Sequence, residues 1–289
     1  METGNLQIYE NVNLGGGRML MGFSGWMDGG DVSTGSVRCF IDKLGAKRIA
    51  EIEPEGFYIE SFPASMEAAA LFRPHTKIES GLIKEFEFTR NEFFYSRQAN
   101  LVFFLGKEPN LFWRIFAERM FEACEKFNVK TIYFIGSVAG LVPHSREPRI
   151  MCSVSDEKLR EMLQRYGIKF STYEGPASII TYLTTQAPQR GINLMSLVAV
   201  IPAYVQGHNA KCIEAVVRRL SGILGVHLEM EDLQAASEDF ERKLNDVLQE
   251  QPELVNTIHK LEEDYDNEIF DTELGDLKKW LEQQGIRLD

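Results

Sequence analysis

Four apolar runs constrain this chain more than anything else in it: Met19–Phe23, Leu101–Gly106 (LVFFLG), Lys130–Gly136 (KTIYFIG) and Leu194–Ile201 (LMSLVAVI). Each has the length of one strand, and uninterrupted hydrophobicity is what a strand shows when helices cover both of its faces. The segments between them supply the helices. Val32, Val37, Phe40, Ile41 and Leu44 recur at helical spacing up to Gly45. Phe112–Phe127 sets Phe112, Ile115, Phe116, Met120 and Ala123 against Arg114, Glu118 and Glu122, and Asn209–Leu224 puts Ile213, Val216, Val217 and Leu220 on one face ahead of Gly225. With Ala46–Ile52 as the next strand after the first helix, the chain opens as a βαβ unit, which calls for an α/β fold around a mostly parallel sheet.

The remaining elements are weaker. Leu6, Ile8 and Val12 scatter before Gly15-Gly16-Gly17 and suggest a minor first strand. From Glu53 to Asn100, prolines and aromatics without helical periodicity read as an irregular insertion, with a hairpin between Gly81–Phe88 and Glu92–Tyr95. Asp156–Tyr166 reads as a helix with Ser155 as N-cap, Leu159, Met162 and Leu163 inward and Gly167 as C-cap. Pro176–Ala187 reads as another, with Pro176 at its first position.

Charge divides the chain in two. Of 289 residues, the last 61 from Glu229 carry 19 acidic and 6 basic side chains, while the first 228 carry 24 and 25, so the net −12 belongs to the tail. The body is neutral. This distribution argues against nucleic acid and anionic membranes as partners, because like charges repel. In the tail, Leu233, Phe240, Val247, Leu254 and Leu261 fall on sevenths, with Leu244, Ile258 and Tyr265 beside them. Pro252 interrupts that seam, so the reading is two helices folded back at Gln251-Pro252 and a short last helix over Leu274–Leu281 carrying Trp280. The expected division is an α/β domain over 1–228 and an acidic helical extension over 229–289. No run of 18 apolar residues and no signal-peptide pattern is present, which places the expectation in the cytoplasm. Cys39, Cys124, Cys152 and Cys212 lie far apart in apolar contexts and read as free, mostly buried thiols.

Chemistry-bearing residues concentrate where strands end. The run GFSGWMDGGD puts Ser24, Trp26, Asp28 and Asp31 in a glycine-rich turn after the first core strand, where open α/β sheets form ligand crevices. Asp31 reads as the cap of the following helix; Asp28 is divided evenly between an Asx-turn and a functional carboxylate. The glycines could cradle an anion on backbone N–H groups, but they match neither GxGxxG nor the Walker spacing. His144, Ser145 and Arg146 sit in a loop past another strand, and an imidazole beside a guanidinium suits anion recognition or acid–base work. Tyr204 converges on the same edge if its strand is parallel to the others, whereas His208 reads as a solvent contact ahead of Asn209. The five histidines form no ligand pair, so no metal is expected, no cofactor is implied, and Ser24 lies outside any GxSxG elbow.

Taken together, GFSGWMDGGD, GSVAGLVPHSR, GPASIITYL, VIPAYV and LEEDYD, in this order from about Met19 to Tyr265, resemble the PAC2 family, relatives of the proteasome assembly chaperone subunits, and its bacterial branch in particular. The resemblance implies a phosphorylase/hydrolase-like three-layer fold and homo-oligomers, commonly trimers, and it brings no established reaction. Trp26, Asp28, Pro143, His144 and Arg146 match the branch pattern and are carried over as a pocket. Archaeal and eukaryotic relatives act as assembly chaperones, some through a C-terminal hydrophobic-Tyr-any ending. Here the last residues are Ile286-Arg287-Leu288-Asp289, and Pro202-Ala203-Tyr204 stands where bacterial relatives often show Pro-His-Tyr. Two functions are therefore expected to compete. One is an assembly or interaction protein with protein clients and no turnover. The other is a binding protein or phosphorylase/hydrolase-type enzyme for a nucleoside or small anion, using Asp28, His144 and Arg146.

Overall fold

The computed structural model describes residues 3–283 apart from 71, 167 and 250, with the side chains at 252 and 270–283 also outside the description. The strands are β1 (Leu6–Ile8), β2 (Gly17–Ser24), β3 (Lys47–Ile52), β4 (His75–Glu79), β5 (Leu82–Glu87), β6 (Glu92–Ser96), β7 (Leu101–Lys107), β8 (Val129–Gly140), β9 (Ile150–Val154), β10 (Lys169–Phe170) and β11 (Asn193–Pro202). The helices are α1 (Val32–Lys43), α2 (Met66–Ala70), α3 (Trp113–Lys126), α4 (Lys158–Gln164), α5 (Ile179–Gln186), α6 (Ala210–Leu224), α7 (Glu231–Gln249) and α8 (Pro252–Gln283).

Nine strands form one sheet in the order β1-β3-β6-β7-β2-β8-β11-β9-β10. Its centre, β7-β2-β8-β11, is parallel, and it is built from the four apolar runs. Antiparallel pairings β1/β3, β3/β6, β6/β7 and β9/β11 flank that centre. The opening βαβ unit has the expected direction but not the expected neighbours, because β6 and β7 intervene between β2 and β3. Two cores lie on opposite faces of the sheet. Phe116, Met120, Ile180 and Leu183 of α3 and α5 pack on one; Val37 and Phe40 of α1, Leu163 of α4 and Val217 and Leu220 of α6 pack on the other. Helix, sheet and helix make the three layers.

Several local readings change. The hairpin partner of β5 is β4, joined through Ser80 and Gly81 at φ 50° and 79°, a two-residue turn whose positive φ values suit the twist of the strands. The aromatic strand β6 enters the main sheet instead, because its alternate side chains bury Phe93. Ser155 does not cap α4: its hydroxyl accepts the Leu194 N–H at 2.9 Å across the sheet edge. Met162 is left at the surface, and the Gly167 cap lies outside the described residues. Pro176 precedes α5, which starts at Ile179 because the Glu108 carboxylate accepts the Ile179 N–H at 2.9 Å. By contrast, α6 starts as read, with Asn209 Oδ1 accepting the Cys212 N–H at 3.0 Å and Gly225 closing it at φ 62°.

In the tail, the chain turns at Gln251 and Pro252 opens α8, where its missing N–H costs nothing. The backbone from 252 to 283 is one helix, not two, since a lone glycine such as Gly275 weakens a helix without having to end it. Val247 is exposed while Leu248, Ile258 and Tyr265 are buried. The buried side of α7 is the face of Ser237, Glu241, Leu244 and Leu248, spaced three and four residues apart, and the seven-residue seam lies beside it. Trp280 and the final four residues lie outside the described side chains.

Candidate functional site

The in-register parallel strands bring Ser24, Lys107, Gly140 and Pro202 to one edge of the sheet. Everything singled out in the sequence as chemistry lies just beyond that edge, in two separate groups.

The first group is the turn after β2. Asp28 Oδ1 accepts the Thr34 N–H at 3.0 Å and Oδ2 receives the Thr34 hydroxyl at 2.7 Å, so Asp28 and not Asp31 caps α1. Asp31 occupies the nominal cap position with a left-handed backbone, φ 56°, and its carboxylate makes no cap bond; it lies 3.5 Å from Nδ1 of the exposed His208. The turn is fastened to β8, since Met27 C=O accepts the Ser137 N–H at 2.8 Å and the Ser137 hydroxyl donates to Gly29 C=O at 2.7 Å. Gly30, at φ 66°, comes so close to α6 that a Cβ on it would stand 2.8 Å from Asn209 Cβ. Burial raises the Asp28 carboxyl to about 6, against the hydrogen bonds from Thr34 that favour its ionised form. The anion at this helix start is therefore the protein's own. Ser24 makes one long contact, Oγ to Gly106 C=O at 3.5 Å, and Trp26 is 66% exposed.

The second group is the loop after β8. The next strand in sequence, β9, lies on the far side of β11, so this loop has to cross the end of β11. That crossing brings His144 to Tyr204. The Tyr204 hydroxyl accepts the His144 backbone N–H at 2.8 Å and faces Nδ1 at 2.8 Å, while Nε2 faces Asn245 Oδ1 of α7 at 2.9 Å. A consistent assignment has Nε2–H donating to Asn245 and Nδ1 accepting the tyrosine O–H. His144 is 4% exposed, with both ring nitrogens in use. Burial pushes the Tyr204 hydroxyl up to about 12.

The neighbouring residues are engaged in the same way. Ser145 donates its hydroxyl to Glu262 of α8. Arg146 grips Asp266 with two parallel bonds of 2.8 Å, from Nε and Nη2, and reaches Glu262 at 3.5 Å. The Asp266 carboxylate holds the guanidinium above its ordinary range. Tyr265 donates to Glu147 C=O at 2.8 Å, and Arg149 lies 4.4 Å over its ring while pairing with Glu268 at 2.6 Å. Further along, Lys211 pairs with Glu241 and Lys43 with Asp232, both at 2.6 Å. The cavity left beside His144 measures about 10 Å³, the space of a single water.

The structure thus brings His144, Ser145, Arg146 and Tyr204 together around α7 and α8. Among the described residues, no hydrogen bond or ion pair links them to Ser24, Trp26 or Asp28. Asn245, Glu262, Asp266 and Glu268 carry no local signal that marks them as partners of this loop, although LEEDYD holds two of them. Among the described residues no group of three or more His, Cys, Asp or Glu side chains is set to hold a metal ion, and no helix is long and apolar enough to cross a membrane. Burial raises the thiols of Cys124, Cys152 and Cys212 to about 12, which leaves them poor nucleophiles.

The three-layer α/β architecture is a class of fold that known proteins share. The PAC2 family pattern matches residues 22–248, and the chain belongs to that family. Among solved structures it is similar to a proteasome-assembly chaperone homologue of Mycobacterium tuberculosis, at 25% identity and TM-score 0.71 over 83% of this chain and 99% of that one. A second M. tuberculosis protein, of unknown function, matches at 17% identity and TM-score 0.83 over 96% and 94%. An archaeal proteasome activator from Pyrococcus furiosus matches at 20% identity and TM-score 0.66 over 86% and 99%. Among curated proteins none matches this sequence.

Proposed function

We propose that this chain is an assembly or interaction protein of the chaperone type, working as a homo-oligomer in the cytoplasm, with the α/β body as its scaffold and the acidic extension as a working surface. The observation that carries this reading is the engagement of His144, Ser145 and Arg146 by α7 and α8, which commits the best candidates for acid–base or anion chemistry to protein contact. An anionic ligand at Arg146 would have to displace Asp266 and Glu262. Large apolar side chains exposed along the same edge support the reading: Trp26 follows β2, Phe112 precedes α3, and Leu141, 83% exposed, follows β8. The relatives described as a proteasome-assembly chaperone homologue and a proteasome activator make proteasome subunits the first clients to try.

The test uses the full chain. Light scattering is expected to give a multiple of the monomer mass, three by preference, and added protein should speed the assembly of unassembled proteasome α-subunits on native gels. A monomer with no effect on assembly would overturn the reading, and more so if a nucleoside, phosphate or small carboxylic acid were turned over. A ligand at a hundred times its Kd adds about 2.7 kcal/mol, so a thermal-shift screen would detect such a compound.

A further inference from the structure

On the β3/β6 flank of the same strand-end edge, away from the His144 loop, the irregular segment from Pro54 to Thr89 forms a cleft of about 250 Å³. Tyr58, Phe72 and Phe88 line it, together with Glu55 and Glu60. The three rings come from three places in the chain, after β3, after α2 and after β5, and each is held by its own contact. The Tyr58 hydroxyl is tethered between Asn91 Oδ1 at 2.6 Å and Lys107 C=O at 2.8 Å, and the buried Asn91 is itself anchored to Ile52 C=O at 3.2 Å. Phe72 packs on Phe62 with centroids 5.4 Å apart, and Phe88 meets Phe86 edge-on at 5.0 Å.

The two glutamates differ from most of the acidic groups that shape this protein's surface. Glu92, Glu118, Glu147, Glu241 and Glu262 all pair with cations, whereas neither Glu55 nor Glu60 has a side-chain hydrogen bond or ion pair among the described residues. No Lys, Arg or His lines the cleft. Aromatic faces carry negative potential, and so do carboxylates, so both kinds of lining group favour the same ligand charge. The size selects further: the volume lies below the range of about 300–1,000 Å³ usual for drug-sized molecules, which suits one headgroup or one side chain. A hydrated inorganic cation would gain little from three rings, and two carboxylates do not complete its shell.

We propose that this cleft binds a small organic cation, a quaternary ammonium or guanidinium group, over Tyr58, Phe72 and Phe88 with Glu55 and Glu60 supplying the counter-charge. The site lies outside the strand-end loop and does not depend on the assembly function. Calorimetric titration of the full chain with choline, with arginine methyl ester and with 3,3-dimethylbutanol, the uncharged shape-mimic of choline, tests it. At least one of the two cations should bind saturably, and the neutral mimic at least about tenfold more weakly. Tighter binding of choline would indicate a free quaternary ammonium, and tighter binding of the arginine ester a guanidinium of another chain. Phe72→Leu should weaken binding by about 3- to 30-fold, the range of one cation–π contact. Glu60→Gln should weaken it up to about fivefold, the range of one exposed charge pair. Glu60 is exposed and Phe72 half-buried outside the two main cores, so melting temperatures close to wild type are expected and serve as the control for folding. No saturable binding of either cation, equal binding of the neutral mimic, or affinity unchanged in both folded variants would overturn the proposal.

Discussion

The α/β body and the helical extension are held by different forces. In the body, Phe40, Phe93, Phe103, Phe104 and Phe134 have no exposed surface, and the two cores run without a break across both faces of the sheet. In the extension, Leu248, Ile258 and Tyr265 are the buried apolar residues among those described, while ion pairs from Lys43, Arg146, Arg149, Lys169 and Lys211 tie it down. Five cations of a nearly neutral body thus meet the tail's excess of acid. Apolar burial is insensitive to dilute salt, whereas partly exposed ion pairs are screened by it. The lesson is that one chain can carry a permanent scaffold and a strap whose hold depends on ionic strength.

The largest effect expected from breaking this contrast is Phe104→Ala. The Phe104 ring lies 5.2 Å from Phe23 and 4.9 Å from Phe93, centroid to centroid, so its removal opens a cavity on the main core. A loss of about 3–5 kcal/mol in denaturant unfolding is expected, with little dependence on salt; a loss below 1 kcal/mol would show that the core can collapse around the gap.

Asp28 is the instructive exception in the body, a carboxylate that caps a helix while burial works against its charge. Its folded pKa of about 6 lies above the unfolded carboxylate value, so the folded chain holds this proton more tightly. The resulting stability is fully present below about pH 4 and is lost as pH rises through about 6. Asp28→Asn, which keeps an oxygen for the Thr34 N–H, should flatten that window in melting curves, whereas Asp28→Ala should cost about 0.5–2 kcal/mol at all pH values through the lost cap. Wild-type pH dependence retained in the Asn variant would assign the titration to another group.

The smallest global effect belongs to the strap. Arg146→Gln should change overall stability by no more than about 1 kcal/mol, the range of a surface ion pair. Amide hydrogen exchange should nevertheless rise in α8 and stay unchanged in β2, β7 and β8, and 0.5 M sodium chloride should do the same to the wild type. Equal acceleration in the body would mean that the two regions open as one unit.

The parallel centre could be read from the sequence because its signal is local: Leu101–Gly106 or Leu194–Ile201 is apolar throughout, and no partner has to be known to see it. The hairpin's pairing is not legible in the sequence for the opposite reason, since β5 and β6 are both fair strands and only the sheet selects their neighbours. His144, Ser145, Arg146 and Tyr204 were found as polar residues placed after strand ends, and the crossing of β11 by the loop after β8 joined them. Their partners Asn245, Glu262 and Asp266 come from about 100 to 120 residues further on, and a helix's acidic face carries no mark of the loop it will cover. The sequence by itself determined the strand cores, the helix faces and the division of charge, because those follow from periodicity and composition within a few turns of chain. Only the tertiary structure decided which carboxylate caps α1 and which helices occupy the His144 loop, because the first depends on how β8 pins the turn through Ser137 and the second on where α7 and α8 dock, and neither is set by neighbouring residues.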